Sequence, residues 1–354
     1  MSKMKIAIIG CGSIANNAHI PAYMKNDEVE IKYFCDIIKS KADAAVEKYG
    51  CGVAVEDYHE ILNDPEIEAV SVCTPNKMHK TITMDFLRAG KHVLCEKPSA
   101  RTLDEAMEMQ AVQHETGKVL NIGVVNRFNA AVNRLRDLIQ SGELGEVYHV
   151  YVSFRSHRSI PGLGGAFTNK SIAGGGVLID WGVHFLDIVM YCMNDPKPLT
   201  VSAKTFSKLG VDMPKYVYNS MWSEETKDLN GVYDVDDSVT AFVRTEGPTI
   251  TLNGAWAQNI GVSEMFIDFL GTKAGARLNY GQDFTVYTTA CDSLVECKPK
   301  FKECDMFQNE IDSFIRCIKT GETLPSHIDK AIITATMMQA MYDSSEQNKE
   351  IVLA

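Results

Sequence analysis

The chain has 354 residues, 45% apolar and 23% charged, enough for two domains with separate cores and typical of a soluble globular protein. A formal net charge of −11 with no basic run disfavours nucleic acid and anionic membrane surfaces, and leaves a small molecule as the expected partner. The apolar run at 6–9 is too short for a leader peptide and no stretch approaches the ~18–20 apolar residues of a membrane span; the ten dispersed cysteines form neither C-x-x-C nor a zinc pattern and read as reduced thiols of a cytoplasmic protein.

Up to about residue 125, short apolar runs alternate with helical patterns. The runs are KIAIIG (5–10), EIKYFCD (30–36), GVAV (52–55), AVSVCTP (69–75), KHVLCEKP (91–98) and KVLNIGVV (118–125). They are apolar almost throughout, as strands buried on both faces are. Helical patterns lie between them at 14–25, 39–49, 58–62, 77–89 and 103–115, and Gly90 and Gly117 stop two of these. Repeating βα units predict a parallel, doubly wound sheet. Beyond Arg127 the texture changes. An amphipathic stretch at 132–139 and a strand pattern at 146–155 precede a glycine-rich loop, SIPGLGGAF (159–167), and a helix over about 175–191. Strand-like runs follow at 199–207, 236–244, 249–258, 263–270 and 283–289, then helical patterns at 306–319 and 328–346. Strands in succession with segregated helices predict an α+β domain with a large, mostly antiparallel open sheet. The expected division is 1–125 and 126–354.

The first run ends in GCGSIA (10–15), which opens a helix. Gly10 permits a tight turn and Gly12 lets backbone approach a pyrophosphate. Ala15, where many such sites have a third glycine, keeps helix and strand close. The helix start, with Ser13 and Ile14, offers unpaired N–H groups to phosphate oxygens. Asp36 ends the second strand 26 residues after Gly10. A carboxylate there accepts both hydroxyls of an adenosine ribose and repels the 2′-phosphate of NADP. The next residues are Ile37 and Ile38, with no arginine for that phosphate. The alternative for Asp36 is a helix N-cap. Motif, position and acid together predict an N-terminal Rossmann dinucleotide-binding domain that prefers NAD.

Four stretches in order, GCGSIA (10–15), CTPNKMH (73–79), CEKP (95–98) and AGGGVLIDWGVHFLD (173–187), resemble the Gfo/Idh/MocA oxidoreductases, named for glucose–fructose oxidoreductase and inositol dehydrogenase. The resemblance covers nearly the whole chain. EKP after the fifth strand and D-x-x-x-H after a triple glycine are together specific. The resemblance implies a triad, with His184 as acid/base and Lys97 and Asp180 completing it. The residue types suit that chemistry. Lys97 lies just past the fifth strand, at the edge where doubly wound sheets bind ligands; beside a cationic nicotinamide its pKa would fall and it would hydrogen-bond a reacting hydroxyl or carbonyl. Asp180 and His184 are four apart on one predicted helix and project from one face, and Gly174, Gly175 and Gly176 allow a close approach where it starts. A histidine can take a carbinol proton as hydride leaves the carbon, and Asp180 can orient substrate or stabilise developing charge. Without the resemblance Lys97 would read as a solvated loop lysine, His184 as a core histidine and Asp180 as a helix-terminal charge. Pro98 matches a family proline that can take a cis bond.

The resemblance also places Thr74, Pro75 and Asn76 along the nicotinamide ribose, with Glu96 near it. His79 is either a further contact there or a structural residue of the helix start. Asn126 and Arg127, after the sixth strand, reach toward the nicotinamide or the substrate. Arg155, His157, Arg158 and Lys170 flank the glycine-rich loop, either to bind substrate or to face solvent. Trp181 and Trp256 read as core, with sugar stacking the alternative; Trp181, next to Asp180, stays a substrate candidate. Asp187 reads as structural. The segment at 216–233 lacks periodicity and reads as an insertion over the pocket or at a subunit contact. No metal is expected, since His149, His157, His184 and His327 show no ligand spacing.

The resulting expectation is an NAD-dependent dehydrogenase acting on CH–OH groups, moving hydride between nicotinamide and a ring carbinol of a sugar, glycoside or cyclitol. The polyol preference comes from the resemblance. Within it, C3 oxidation of a glycoside or sugar is favoured, giving a 3-oxo product primed for elimination by a partner lyase. Inositol dehydrogenation is the nearest rival. An NAD-retaining glycoside hydrolase and a non-catalytic NAD(P)-sensing regulator are rivals from other classes; retention of Lys97, Asp180 and His184 argues against the regulator. The resemblance implies a homo-oligomer, tetramer or larger, and the open sheet has a face to bury.

Overall fold

The computed structural model describes residues 3–221, 223 and 227–353. The chain divides into two compact units, Met1–Phe128 with Cys304–Ile332, and Asn129–Glu303 with Ile333–Ala354. In the first unit β1 (Met4–Ile9), β2 (Val29–Cys35), β3 (Val53–Val55), β4 (Ile67–Val72), β5 (His92–Glu96) and β6 (Leu120–Gly123) alternate with α1 (Ile20–Lys25), α2 (Lys39–Tyr49), α3 (His59–Leu62), α4 (Asn76–Arg88) and α5 (Leu103–Thr116). The strands run parallel in the order β3-β2-β1-β4-β5-β6. This is the doubly wound order, and it reverses between β1 and β4, so the loops after those strands open the crevice where such sheets bind ligands. Successive residues of β1 feed opposite faces. Ile6 and Ile8 pack with Phe34 and Leu94, and Ala7 and Ile9 with Val70 and Phe86. That is why the strand is apolar at every position.

The second unit contains α6 (Ala130–Gln140), β7 (Val147–Arg155), α7 (Lys170–Ala173) and α8 (Val183–Cys192). The strands β8 (Pro198–Phe206), β9 (Ser238–Thr245), β10 (Thr249–Ala255), β11 (Glu264–Gly271), β12 (Gly275–Asn279), β13 (Phe284–Ala290) and β14 (Ser293–Cys297) follow. They build a sheet of order β14-β13-β12-β11-β7-β10-β9-β8-β15, with β15 (Ile351–Val352) at its edge. Within this sheet, among the described residues, only β7 and β10 pair in parallel. One face is core: Val150, Val152 and Phe154 of β7 are buried with Ile250, Leu252, Ile267 and Phe269. Phe185 of α8 stacks on Phe154 at 4.8 Å.

Two expectations need correction. The first unit extends to Phe128, and Cys304–Ile332 returns to it. There α9 (Met306–Thr320) buries Ile311, Phe314 and Ile315 in the cluster of Ile6, Ile8 and Phe34. An i, i+3, i+4 stripe must be covered, and the sheet face it matches decides its domain, not its neighbours in sequence. The chain re-enters the second unit within α10 (Ile328–Gln347). Second, the helical run Lys170–Cys192 does have the length and hydropathy of a membrane span, but 78% of its apolar window is buried inside the fold. It is the core helix of the second unit.

Candidate active site

The loop after β1 is stitched to its neighbours. Gly10 N–H donates to the Cys35 carbonyl at 2.8 Å, and Cys73 N–H to the Ile9 carbonyl at 2.7 Å. Gly10 has φ +93°, and a Cβ there would lie 2.6 Å from the Cys73 oxygen, so only glycine fits. A Cβ on Gly12 would meet nothing within 4 Å. Its backbone faces open space at the helix start, with Ser13 exposed and Ile14 half-buried beside it. Asp36 is not a helix cap. Its Oδ2 accepts from Cys11 N–H at 2.9 Å and its Oδ1 from Ile38 N–H at 2.8 Å. Those bonds fix the carboxylate against the glycine loop and leave each oxygen a lone pair. After β4, the Thr74 hydroxyl is buried without a protein partner, Pro75 is exposed, and Asn76 opens α4. An open glycine cradle, an anchored acid and an orphaned hydroxyl at the switch point fit a dinucleotide.

Lys97 follows β5 directly and is half-buried, and its bond to Pro98 is cis. Glu96 lies inward. Its Oε1 meets His19 Nε2 at 2.8 Å and its Oε2 accepts from Lys97 N–H at 3.0 Å. Burial pushes the Glu96 carboxyl up, but the bond and charge of His19, with Lys97 beside it, hold it below the usual range. The other side of the His19 ring meets Ser71 Oγ at 3.2 Å, and Tyr23 bonds the same hydroxyl at 2.8 Å. Glu96 thus ties His19 to the backbone of Lys97.

His79 fits the structural alternative. It is fully buried, with Nδ1 2.8 Å from the Pro98 carbonyl and Nε2 2.9 Å from the Thr74 carbonyl. Two carbonyls around one ring require both nitrogens to donate, which only the imidazolium does. Burial pushes its pKa down, but the Cys95 sulfur and these carbonyls outweigh it and raise it to about 9. His79 braces the loops after β4 and β5 and has no nitrogen left for a cofactor. Asn126 and Arg127 sit on a 3₁₀ turn, Val125–Phe128, both buried, and Arg127 Nη1 donates to the Pro325 carbonyl at 2.8 Å.

In the second unit, Asp180 and His184 lie on the helix that continues into α8. A π-turn, Leu178–Gly182, opens it, as at many functional sites. From 177 to 192 every residue is buried except Asp180, Trp181 and His184. The helix therefore presents one narrow polar face. Its start is held by Asp236, a buried acid accepting from Gly176 N–H at 2.8 Å, Leu178 N–H at 3.0 Å and the Tyr342 hydroxyl at 2.9 Å. Trp256 is fully buried, as a core residue, and its Nε1–H donates to Asp180 Oδ2 at 3.2 Å. The ring of His184 lies 6.1 Å from that of Tyr280, which stacks on Phe185. Asp187 is buried.

The basic residues divide. Phe154 points into the core, so Arg155, next on the strand, points to the opposite face, where it pairs with Glu264 at 2.5 Å. Arg155, expected either to bind substrate or to face solvent, thus lies on the sheet face away from the core. Arg158 has φ +58°, bonds Asn259 Oδ1 through Nε and Nη2, and lies over the Tyr216 ring. It organises loops. His157 and Lys170 are less buried, and Lys170 N–H donates to Asp234. The described part of 216–233 packs back on the glycine-rich loop, through Asp228 N–H to Leu163 and the pairing of Val232 with Gly164. Trp222 and residues 224–226 lie outside the described residues. Sequence reasoning missed His19, Asp236 and Tyr342. Paired acids just before an apolar strand, at Asp236 and Asp237, were the available signal. Among the described residues no group of three or more His, Cys, Asp or Glu is placed to hold a metal.

Residues 4–124 match the domain family described as oxidoreductase family, NAD-binding Rossmann fold, and residues 132–277 match the GFO/IDH/MocA C-terminal domain. The chain is 31% identical to a D-glucoside 3-dehydrogenase of Escherichia coli, over 99% of this chain and 98% of that one. It is 30% identical to an inositol 2-dehydrogenase of Salmonella typhimurium over 45% and 48%. A levoglucosan dehydrogenase solved with NADH and levoglucosan has the same fold, with TM-score 0.87, 20% identity and 99% of each chain covered.

The buried imidazolium predicts a pH dependence. A histidine whose folded pKa is raised from 6.5 to about 9 contributes stability that is complete below pH 6.5 and lost as pH rises through 9. His79→Gln is expected to lower the thermal midpoint at pH 6, by a free energy on the order of a few kcal/mol, with a difference that shrinks toward pH 10. A pH-independent difference between variant and wild type would exclude the imidazolium.

Proposed function

Since the chain belongs to the Gfo/Idh/MocA family of sugar oxidoreductases, with an NAD-binding Rossmann domain, we propose that it is an NAD-dependent dehydrogenase of a ring carbinol in a sugar, glycoside or cyclitol. We take C3 of a glycoside or sugar as the oxidised carbon and the 3-oxo compound as product. The observation that carries the reading is the helix that leaves only Asp180, Trp181 and His184 unburied from 177 to 192. Full-length similarity to a glucoside 3-dehydrogenase supports C3 over other positions. Asp36, held by two amides and followed by the exposed Ile37 and Ile38, supports NAD over NADP, because nothing cationic follows the acid.

Gly10, Gly12, Ser13, Ile14, Asp36, Thr74, Pro75 and Asn76 would hold the cofactor. When bound, NAD supplies the acceptor for the hydride of the carbinol carbon. The chain's own residues handle the oxygen. His184 takes the hydroxyl proton on a ring nitrogen as the carbonyl forms. Lys97 donates a hydrogen bond to that oxygen, and the Asp180 carboxylate orients the substrate and stabilises the imidazolium. Such proton transfer is worth about 10²–10⁴ in rate.

The setting follows from the same reading. On the sheet face away from the core, Tyr151, Phe242 and Phe266 are half-buried, with the Arg277 guanidinium 3.9 Å over Phe266 and bonded to Asp268. Aromatic residues with paired charges suit a second copy of the chain, so we infer a homo-oligomer. Buried thiols outside any disulfide at Cys11, Cys35, Cys73, Cys95, Cys192 and Cys317 support a cytoplasmic site. A 3-oxo glycoside has an acidified C–H beside its carbonyl, so a lyase is the class of enzyme to consume it.

The decisive experiment incubates the chain and NAD with glycosides, free sugars and cyclitols, follows NADH absorbance and identifies the oxidised carbon. NADH formation with a methyl glucoside and a 3-oxo product is expected. Preference for a cyclitol selects the inositol rival, and free sugar without net NADH selects the hydrolase. Lys97→Ala and His184→Ala are each expected to lower kcat at least a hundredfold; near wild-type turnover in both would sink the triad. Asp36→Ala should weaken NAD binding and relax discrimination against NADP, and an unchanged preference in titrations removes Asp36 from that role. Light scattering should give a multiple of the chain mass that Phe266→Glu lowers; a wild-type monomer at all concentrations contradicts the interface.

A further inference from the structure

We propose that Trp256 is a positioning residue that sets the Asp180 carboxylate for reaction. The inference rests on the reading above, in which Asp180 acts on the substrate. The indole of Trp256 is fully buried, so it is no platform for a sugar ring. An indole N–H only donates, and left unpaired in a core it is costly. Here it points at Asp180 Oδ2, 3.2 Å away, which makes a charge-assisted bond.

The frame around this bond is rigid. Trp256 N–H donates to the Asp237 carbonyl at 2.9 Å, and the Trp256 carbonyl accepts from Ser159 N–H at 2.7 Å. The neighbouring Asp236 holds the amides of Gly176 and Leu178, and its carbonyl accepts from Val177 N–H at 3.0 Å. One dipeptide, Asp236–Asp237, therefore fixes both the start of the helix that carries Asp180 and the residue that binds its side chain. A Cβ on Gly176 would lie 1.9 Å from the Asp236 oxygen, so the helix start cannot shift without breaking this frame. Asp180 sits at the half-buried face, where an untethered carboxylate would sample several rotamers. The indole N–H holds one of its two oxygens.

The test compares wild type, Trp256→Phe, Asp180→Asn and the double variant, with a methyl glucoside and NAD. Phenylalanine keeps an aromatic ring and removes the donor. Trp256→Phe is expected to lower kcat about tenfold or more with KM nearly unchanged, and to cost nothing further in the Asp180→Asn background. Additive losses would mean that Trp256 only packs, and wild-type kcat in Trp256→Phe beside a slow Asp180→Asn would overturn the inference while leaving the triad intact. Wild-type kcat in Asp180→Asn would overturn the role of Asp180 itself. A second measurement needs no substrate and no tryptophan variant that folds. With ¹⁵N-labelled tryptophan, one of the three indole N–H signals should move upfield and exchange faster in Asp180→Ala, which removes the acceptor; three unchanged signals would exclude the bond.

Discussion

Asp236 is buried, and burial raises its carboxyl pKa despite the bonds from Leu178, Gly176 and Tyr342. An acid in that position has to be met by donors, and the donors it finds are the first amides of the helix that carries Asp180 and His184. The orphan N–H groups of a helix start and the unmet acceptors of a buried acid cancel each other's cost. The first unit solves the corresponding problem at Glu96. That carboxylate is buried against His19 and binds the amide of Lys97. Gly123 leaves it room, since a Cβ there would lie 3.1 Å from the Glu96 carboxyl carbon. In both units a buried acid binds backbone amides next to a residue of the proposed site: Lys97 in the first, and the helix start before Asp180 in the second.

This arrangement explains why the polar face of the helix can be so narrow. A helix stabilised at its start by capping and along its length by Phe154, Phe185 and their neighbours does not need solvent-facing residues to hold it in place. Its few unburied positions from 177 to 192 are Asp180, Trp181 and His184. The π-turn at its opening is the local departure from regular geometry, and a second π-turn, Ala15–His19, follows the glycine loop in the first unit. Both occur where the backbone passes from a glycine-bearing loop into a helix.

Much of this was legible in the sequence because it is local. Unbroken apolar runs separated by helical periods give the parallel sheet, and GCGSIA with Asp36 gives the nucleotide crevice. The orientation of Glu96 and His79 was not legible, since their partners His19 and Pro98 lie 77 and 19 residues away. The membership of α9 was not legible either, because an amphipathic helix does not say which face will cover it. The direction of Arg155 could have been read. Val150, Val152 and Phe154 alternate along β7, so the arginine that follows falls on the other side. The short strands Gly275–Asn279 and Ser293–Cys297 escaped because they lie toward one edge of the sheet, and the second is exposed at most positions.

The two acids beside His184 show where spacing stops being informative. Asp180 is four residues before it and Asp187 three after, and both separations bring a side chain to the same stretch of helix surface. By sequence either could serve the histidine. The fold separates them by environment. Asp187 is buried, whereas Asp180 sits half-buried on the polar face with an indole N–H on one oxygen. A carboxylate that a substrate is to meet needs access on one side and a fixed donor on the other. Only Asp180 is placed so, and that difference comes from the long-range packing of Trp256, 76 residues downstream.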